Sequence, residues 1–389
     1  MGFVFWFLCL SAAQAADVNF LIFPPENQAT AALGWLAEGI ALSVSEQIQV
    51  PGVKALDRDE RLELLEHADL PPGLPLSMAS MIRVGQLAAV DYVVTGSYSG
   101  TPGGINITLQ VLDLKTMRKG GAVSASGPLS FLSQMENELA FNLISNAGLD
   151  PPVSREAFKK RTRTVPNSAF AALIASLEST NEEDQVLALR RAVNLHPSYS
   201  EAQFRLGRYY YDSGDCESAI RYLEPARRRP ARYLESQFLL GVCYLKKDLA
   251  AEAARSFASI VSARPSAAAL NNLAVAELRR GDYAVAAEHL LEAQRLSRSD
   301  PAVLLNLAIL RYLQGNVEAA RSLLEQADAL QPNRPRVLYL LSGALEACGE
   351  TEKADEALAR ARQLGADPAA LESEDPRRWC RLSEAFDQR

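Results

Sequence analysis

The sequence predicts an α+β protein in two parts: an amino-terminal mixed α/β sandwich, then an all-α superhelix of about six helix pairs. Three observations predict it. Strand-length apolar runs alternate with helically spaced ones up to residue 148. From residue 166 a helix-pair pattern recurs about every 34 residues. Apolar residues make up 48% of the 389, too many for general disorder. The expected divisions are a leader at 1–15, an α/β domain at 17–148, a basic linker at 149–165, the repeat array at 166–365 and a capping helix or tail at 366–389.

The apolar run that opens at Phe3 ends at Leu10, and Ala13-Gln14-Ala15 supplies the small residues a signal peptidase needs, with cleavage before Ala16. No Lys or Arg precedes the run, so the n-region is weak, and the start is either Met1 or a residue upstream of it. The other readings are a buried helix and a lipid attached at Cys9, against which Leu8 stands where a small residue is expected. The run is short for a membrane span, and no later segment reaches that length without charges. The mature chain is expected to be exported, periplasmic or outer-membrane-associated, without a transmembrane span.

In the first domain, Val18-Asn19-Phe20-Leu21-Ile22-Phe23 reads as a strand stopped by Pro24-Pro25. Leu36, Ile40, Val44 and Ile48 share one face of a helix over 33–48, and 53–56 is a short strand. A helix follows over 57–66. Its Asp57, Asp59 and Glu60 beside Arg58 and Arg61 suit either acid–base work or, as expected here, a helix N-terminus that favours acids. Ser77 caps a helix to residue 88. Strands over 92–98 and 106–113 flank a tight turn at Thr101-Pro102-Gly103-Gly104, another lies near 121–126, and a helix over 130–144 closes the domain. The order points to one mixed sheet covered by helices.

The repeat is carried by two ladders. Leu173, Gly207, Gly241, Ala274, Ala308 and Ser342 keep the helices of each pair close. Ala192, Ala226, Ile260, Ala293, Ala327 and Ala361 run in step, and Ala219, Ala253, Ala286, Ala320 and Ala354 pack one pair on the next. Gly214, Gly281, Gly315 and Gly349 supply the turns, and Pro197, Pro230, Pro265, Pro301 and Pro332 close the units.

The motifs Leu206-Gly207-x-x-Tyr210 with Gly214-Asp215, Ala219 and Ala226, and Leu240-Gly241-x-x-Tyr244 with Ala253, Phe257 and Pro265, resemble the tetratricopeptide repeat family. The first unit departs most, with Gln185 where a small residue is expected, and reads as a degenerate cap. The resemblance implies that first helices line a groove for a protein or peptide partner. By that analogy Phe204, Arg208, Tyr211, Phe238, Leu245, Asn271, Arg279, Leu305, Tyr312 and Tyr339 line it. Phe204, Phe238 and Tyr339 equally suit filling the space between helices; Tyr211 and Tyr312 favour the groove. The Lys/Asn/Arg clamp that chaperone-binding arrays use for a terminal carboxylate is absent, and the mixture of aromatic, aliphatic and Arg side chains suits an apolar or amphipathic segment.

A second resemblance rests on Phe23-Pro24-Pro25-Glu26-Asn27, Leu36-Ala37-Glu38-Gly39-Ile40 and Asp91-Tyr92-Val93-Val94-Thr95-Gly96-Ser97. These are similar to TolB-type amino-terminal domains and to CsgG/FlgO-like envelope proteins. The resemblance implies an envelope location and a role in assembly or docking. The turn at 101–104 is too short for a pore-forming hairpin, and no β-propeller repeats follow.

No P-loop, G-x-G-x-x-G, G-x-S-x-G or H-E-x-x-H occurs, and His67, His196 and His289 are scattered, so neither catalysis, a cofactor nor a metal is expected. A net charge of −7 gives no reason to expect nucleic acid. Arg155, Lys159, Lys160, Arg161 and Arg163 suit peripheral contact with anionic lipid or an acidic partner, or, as expected, a solvated linker helix. Export leaves Cys216, Cys243, Cys348 and Cys380, which form either the disulfides Cys216–Cys243 and Cys348–Cys380 or four inert, partly buried thiols. Trp379, Leu382 and Phe386 fall on one face of an expected terminal helix over 376–386, a cap on the last core face or a docking peptide. The function these features imply is a non-enzymatic envelope scaffold that recruits a protein through the array. The rival is a ligand-sensing α/β domain whose state the array reports.

Overall fold

The computed structural model describes residues 17–71, 73, 75–226 and 232–383. The leader, Arg227 to Pro230 and Phe386 lie outside the described residues. The chain forms two compact units, residues 1–197 and 198–389.

The first unit is built on β1 (Val18–Ile22), β2 (Glu26–Asn27), β3 (Val53–Ala55), β4 (Tyr92–Thr101), β5 (Gly104–Asp113) and β6 (Arg118–Gly127). The sheet order is β3-β1-β4-β5-β6, with β1 parallel to β3 and β4, and β4, β5 and β6 antiparallel; β2 adds to β4. The alternation in β1 divides two cores. Phe20 and Ile22 pack under α1 (Leu36–Ile48) and α4 (Leu132–Asn146). Leu21 and Phe23 pack under α2 (Arg58–His67) and α3 (Met78–Leu87). Asp57 accepts from the Glu60 amide and Glu60 from the Asp57 amide, a reciprocal cap that accounts for the acids there. Ser77 caps α3 as expected.

The basic stretch 155–163 keeps Arg155, Lys159, Lys160 and Arg161 exposed, as a solvated linker helix would, but it is anchored by one buried ring. α5 (Arg155–Lys159) buries Phe158 completely, its carbonyl accepts from Asn137 at 2.8 Å, and Arg163 lies over the Phe170 ring at 3.7 Å. One aromatic residue among the cations makes this helix amphipathic, and burial of its ring outweighs the solvation of its flanks.

The first helix pair, α6 (Asn167–Glu178) and α7 (Glu182–Leu195), belongs to this unit, and α6 packs on α1 with Trp35 edge-on to Phe170 at 6.0 Å. Buried charge fastens it. Glu38 pairs with Arg61 and, at 3.2 Å, with Arg58, whose guanidinium donates to the Leu177 carbonyl. Glu136 is wholly buried and accepts from Ser43 at 2.7 Å and Arg163 at 3.3 Å. Burial pushes its carboxyl up to about 7, although Arg163 and Ser43 pull the other way.

The second unit holds five helix pairs: α8 (Ser200–Asp212) with α9 (Cys216–Ala226), α10 (Tyr233–Lys246) with α11 (Ala250–Ala263), α12 (Ala267–Arg280) with α13 (Tyr283–Leu296), α14 (Pro301–Leu313) with α15 (Val317–Leu330), and α16 (Pro335–Ala347) with α17 (Thr351–Gln363). The small residues of the first ladder are required by volume. A Cβ at Gly207 would lie 2.7 Å from Leu223, and one at Gly241 2.6 Å from the Phe257 ring. The turn glycines take left-handed backbone, as at Gly281 with φ 86°. Ala219, Ala253, Ala286 and Ala320 are fully buried.

Candidate functional site

First helices of neighbouring pairs touch, α8 with α10 and α12 with α14, and their side chains form an inner face. The end of the chain lies along it. After α18 (Pro368–Ser373) comes a single 3-10 turn, Pro376–Trp379, and residues 380–383 are neither helix nor strand. The terminal helix expected over 376–386 is therefore absent among the described residues. The physical reason is that the backbone groups a helix would use are taken by side chains of the array.

Asn306 of α14 accepts the Arg381 N–H at 2.8 Å and donates to the Arg381 carbonyl at 2.8 Å. Asn271 of α12 donates to the same carbonyl at 2.9 Å and to the Ser383 hydroxyl at 3.1 Å, while its own oxygen accepts from Asn306 at 2.8 Å. Asn272 accepts the Ser383 N–H at 2.7 Å and donates to its carbonyl at 3.2 Å. Asn271 and Asn306 are 0% exposed, and an amide so placed needs partners. The tail supplies them.

Upstream, the Trp379 ring stands edge-on to Tyr339 at 5.9 Å and its indole N–H donates to Glu374 at 2.6 Å. Arg378 and Arg279 share Asp248, at 2.8 and 3.4 Å, and Arg279 also donates to the Arg378 carbonyl. The Arg381 guanidinium reaches Gln331 at 2.8 Å. Cys380 packs against three apolar clusters of the array, and burial pushes its thiol up to about 12 despite the nearby Arg279. Leu382 packs on the cluster around Phe204, Leu240 and Phe257. A cleft of about 590 Å³ runs beside this segment, bordered by Leu305, Arg334, Arg336 and Trp379.

The ten residues expected to line a groove divide accordingly. Asn271, Arg279 and Tyr339 contact the tail segment. Phe204, Leu245 and Leu305 are buried in core clusters, with Arg232 over the Phe204 ring at 5.1 Å. For Phe204 this is the space-filling alternative, and the tail's Leu382 packs against the cluster that holds Phe204 and Leu245. Arg208 is exposed and pairs with Glu235 at 3.1 Å. Tyr211 is half-buried with Lys246 at 5.5 Å from its ring, Phe238 stands edge-on to Phe257 at 6.3 Å, and Tyr312 is half-buried beside α16.

Asn272, Asn306 and Gln331 escaped the sequence reading, yet a signal existed. Asn272 and Asn306 hold the same place in successive repeats, each two residues before a member of the first ladder, Ala274 and Ala308. Among the described residues the four cysteines, Cys216, Cys243, Cys348 and Cys380, are free thiols. Cys216 and Cys243 are buried side by side, and burial, then the Cys216 contact, pushes the Cys243 thiol up. Among the described residues no group of three or more His, Cys, Asp or Glu is placed to hold a metal ion. No described helix is long and apolar enough to cross a membrane.

Models of the tetratricopeptide repeat match residues 204–268 and 250–301, and again 277–342 and 312–373. The second unit is thus a tetratricopeptide-repeat array, and the chain as a whole is a small mixed-sheet domain followed by such repeats. Among solved structures it is similar to MamA, with 21% identity over 41% of this chain and 94% of that one and a TM-score of 0.37. It is also similar to YrrB, described as a TPR protein with an unusual peptide-binding site, with 16% identity over 48% and 97% and a TM-score of 0.39. MamA of Desulfovibrio magneticus RS-1 gives 17% over 42% and 94%, with a TM-score of 0.39. No curated protein matches the chain.

Proposed function

We propose that the chain is a non-enzymatic scaffold of the cell envelope that holds a protein partner on the inner face of its tetratricopeptide array. One observation carries this reading: the inner face accepts an extended stretch of polypeptide and satisfies its backbone with amide side chains from α12 and α14. Groups that bind main chain give affinity for any extended segment, and neighbouring side chains give selectivity. Arg208, Tyr211, Phe238 and Tyr312 supply aromatic and cationic character on the same row of first helices. In the first unit, the cluster Glu38, Arg58 and Arg61 is engaged in structural pairs, which supports a docking rather than a chemical role there. The envelope assignment rests on the leader at 1–15 and on the TolB- and CsgG/FlgO-like segments of the α/β domain.

The test is a paired capture from envelope extract with the mature chain and with Tyr211→Asp plus Tyr312→Asp, both shown folded by circular dichroism. Partners lost only from the double variant support recognition by the array face. Identical partner sets, or none from either bait, overturn it. Mass spectrometry of the exported protein should find Ala16 at its amino terminus, and a cytoplasmic protein retaining Met1 would remove the envelope from the proposal.

A further inference from the structure

The segment 380–383 does more than close the array. An end cap has to cover the last helix pair, and α18 with Trp379 already does so: Leu371 and Trp379 join the cluster of α16 and α17 that includes Val337, Leu341 and Ala357. Residues 380–383 instead run back toward α14 and α12, where no unpaired end face needs covering. Their geometry is that of a bound ligand. Arg381 and Ser383 each give both N–H and carbonyl to the array, and residues two apart facing the same way define extended chain. The alternate residues turn to apolar surroundings, Cys380 against three clusters and Leu382 against one. The site therefore reads a small apolar residue, a second held by its backbone with its side chain toward Gln331, then a leucine-sized one, and grips the backbone of the second and fourth positions.

We propose that this face is a self-occupied peptide site: residues 380–383 stand in for an extended segment of a protein partner with the pattern small apolar, x, Leu, and such a segment binds by displacing them. The proposal rests on the scaffold reading above and adds the ligand's chemistry and its internal competitor. The exchange is balanced in kind, because an incoming main chain offers Asn271, Asn272 and Asn306 the same groups that the tail withdraws. A tethered competitor acts at an effective concentration in the millimolar range, so it weakens an external ligand without abolishing its binding.

The test uses a fluorescein-labelled peptide of the sequence at 376–389 and reads anisotropy. It compares the full chain, a chain ending at Trp379, and that shortened chain with Asn272→Ala and Asn306→Ala, each checked by circular dichroism. Release of the tail should tighten peptide binding by about tenfold or more, and loss of the two amides should reverse that gain. If the shortened chain does not fold, Leu382→Asp in the full chain serves instead: it evicts the tail, leaves the array intact, and should tighten binding in the same direction. Equal affinity for the full chain and the freed one, or no binding to a folded freed chain, overturns the proposal. A concentration-dependent dimer of the full chain that disappears on shortening also overturns it, because the tail would then fill a second copy's site. The two proposals fail separately. Peptide binding that depends on the asparagines, with partner capture unchanged by the tyrosine substitutions, leaves the self-occupied site standing and sinks the scaffold reading. Capture that depends on the tyrosines, with no peptide binding to the freed chain, does the reverse.

Discussion

In the first unit, helix α6 is fastened to its neighbours by buried charge, through Glu38 with Arg58 and Arg61 and through Glu136 with Arg163. In the second, the tail is fastened by neutral amides, through Asn271, Asn272 and Asn306. The difference concerns what happens when each is parted. Separating a buried ion pair leaves an uncompensated charge in a poor solvent for it, which costs several times what a lost neutral hydrogen bond does. Main-chain groups held by amides can pass to water or to another main chain at little net cost. The first attachment is suited to permanence and the second to exchange.

Four substitutions break or sharpen this contrast. Glu38→Leu strands two guanidinium groups and should lower stability by roughly 3–5 kcal/mol in urea unfolding; a loss as small as that of an amide would dissolve the contrast. Glu136 departs from the Glu38 cluster, because its burial favours the neutral carboxyl and gives this attachment a pH signature. Its carboxyl is raised from 4.5 to about 7 in the folded chain, so the folded state holds its proton more tightly. Stability from this group is therefore full below about pH 4.5 and lost as pH rises toward 7, by about 3 kcal/mol at most. Glu136→Gln should flatten that slope, and an unchanged slope would assign it elsewhere. Asn306→Leu should cost only about 1–2 kcal/mol, with no dependence on pH from 5 to 8, because the freed tail finds water. The smallest effect belongs to Arg208→Ala. Its guanidinium is exposed and Glu235 keeps Arg232 as a partner, so its loss should change unfolding by less than about 1 kcal/mol.

What was legible in the sequence follows the same line. Gly207 and Gly241 announced the helix pairs because the volume they spare, against Leu223 and Phe257, recurs with the repeat. Asp57 and Glu60 announced a helix start because a cap is made within four residues. The attachments were hidden because their partners are remote: Arg58 meets Leu177 across 119 positions and Asn306 meets Arg381 across 75. Trp379 and Leu382 are three apart, a spacing that suits a helix and an anchored extended segment alike, and only the asparagines opposite decide between them. Phe158 was overlooked because five cations around it read as solvent-facing.

Asn272 and Asn306 stand one repeat apart, and the residues they hold, Ser383 and Arg381, stand two apart in the opposite order. Over α12 and α14 the array therefore works as a ruler laid antiparallel to what it measures, one helix pair to one dipeptide of extended chain, about 6.7 Å. Leu239 of α10 and Leu340 of α16 occupy the same graduation in the neighbouring repeats. Both are buried in core clusters, so the scale carries two marks, at Asn272 and Asn306.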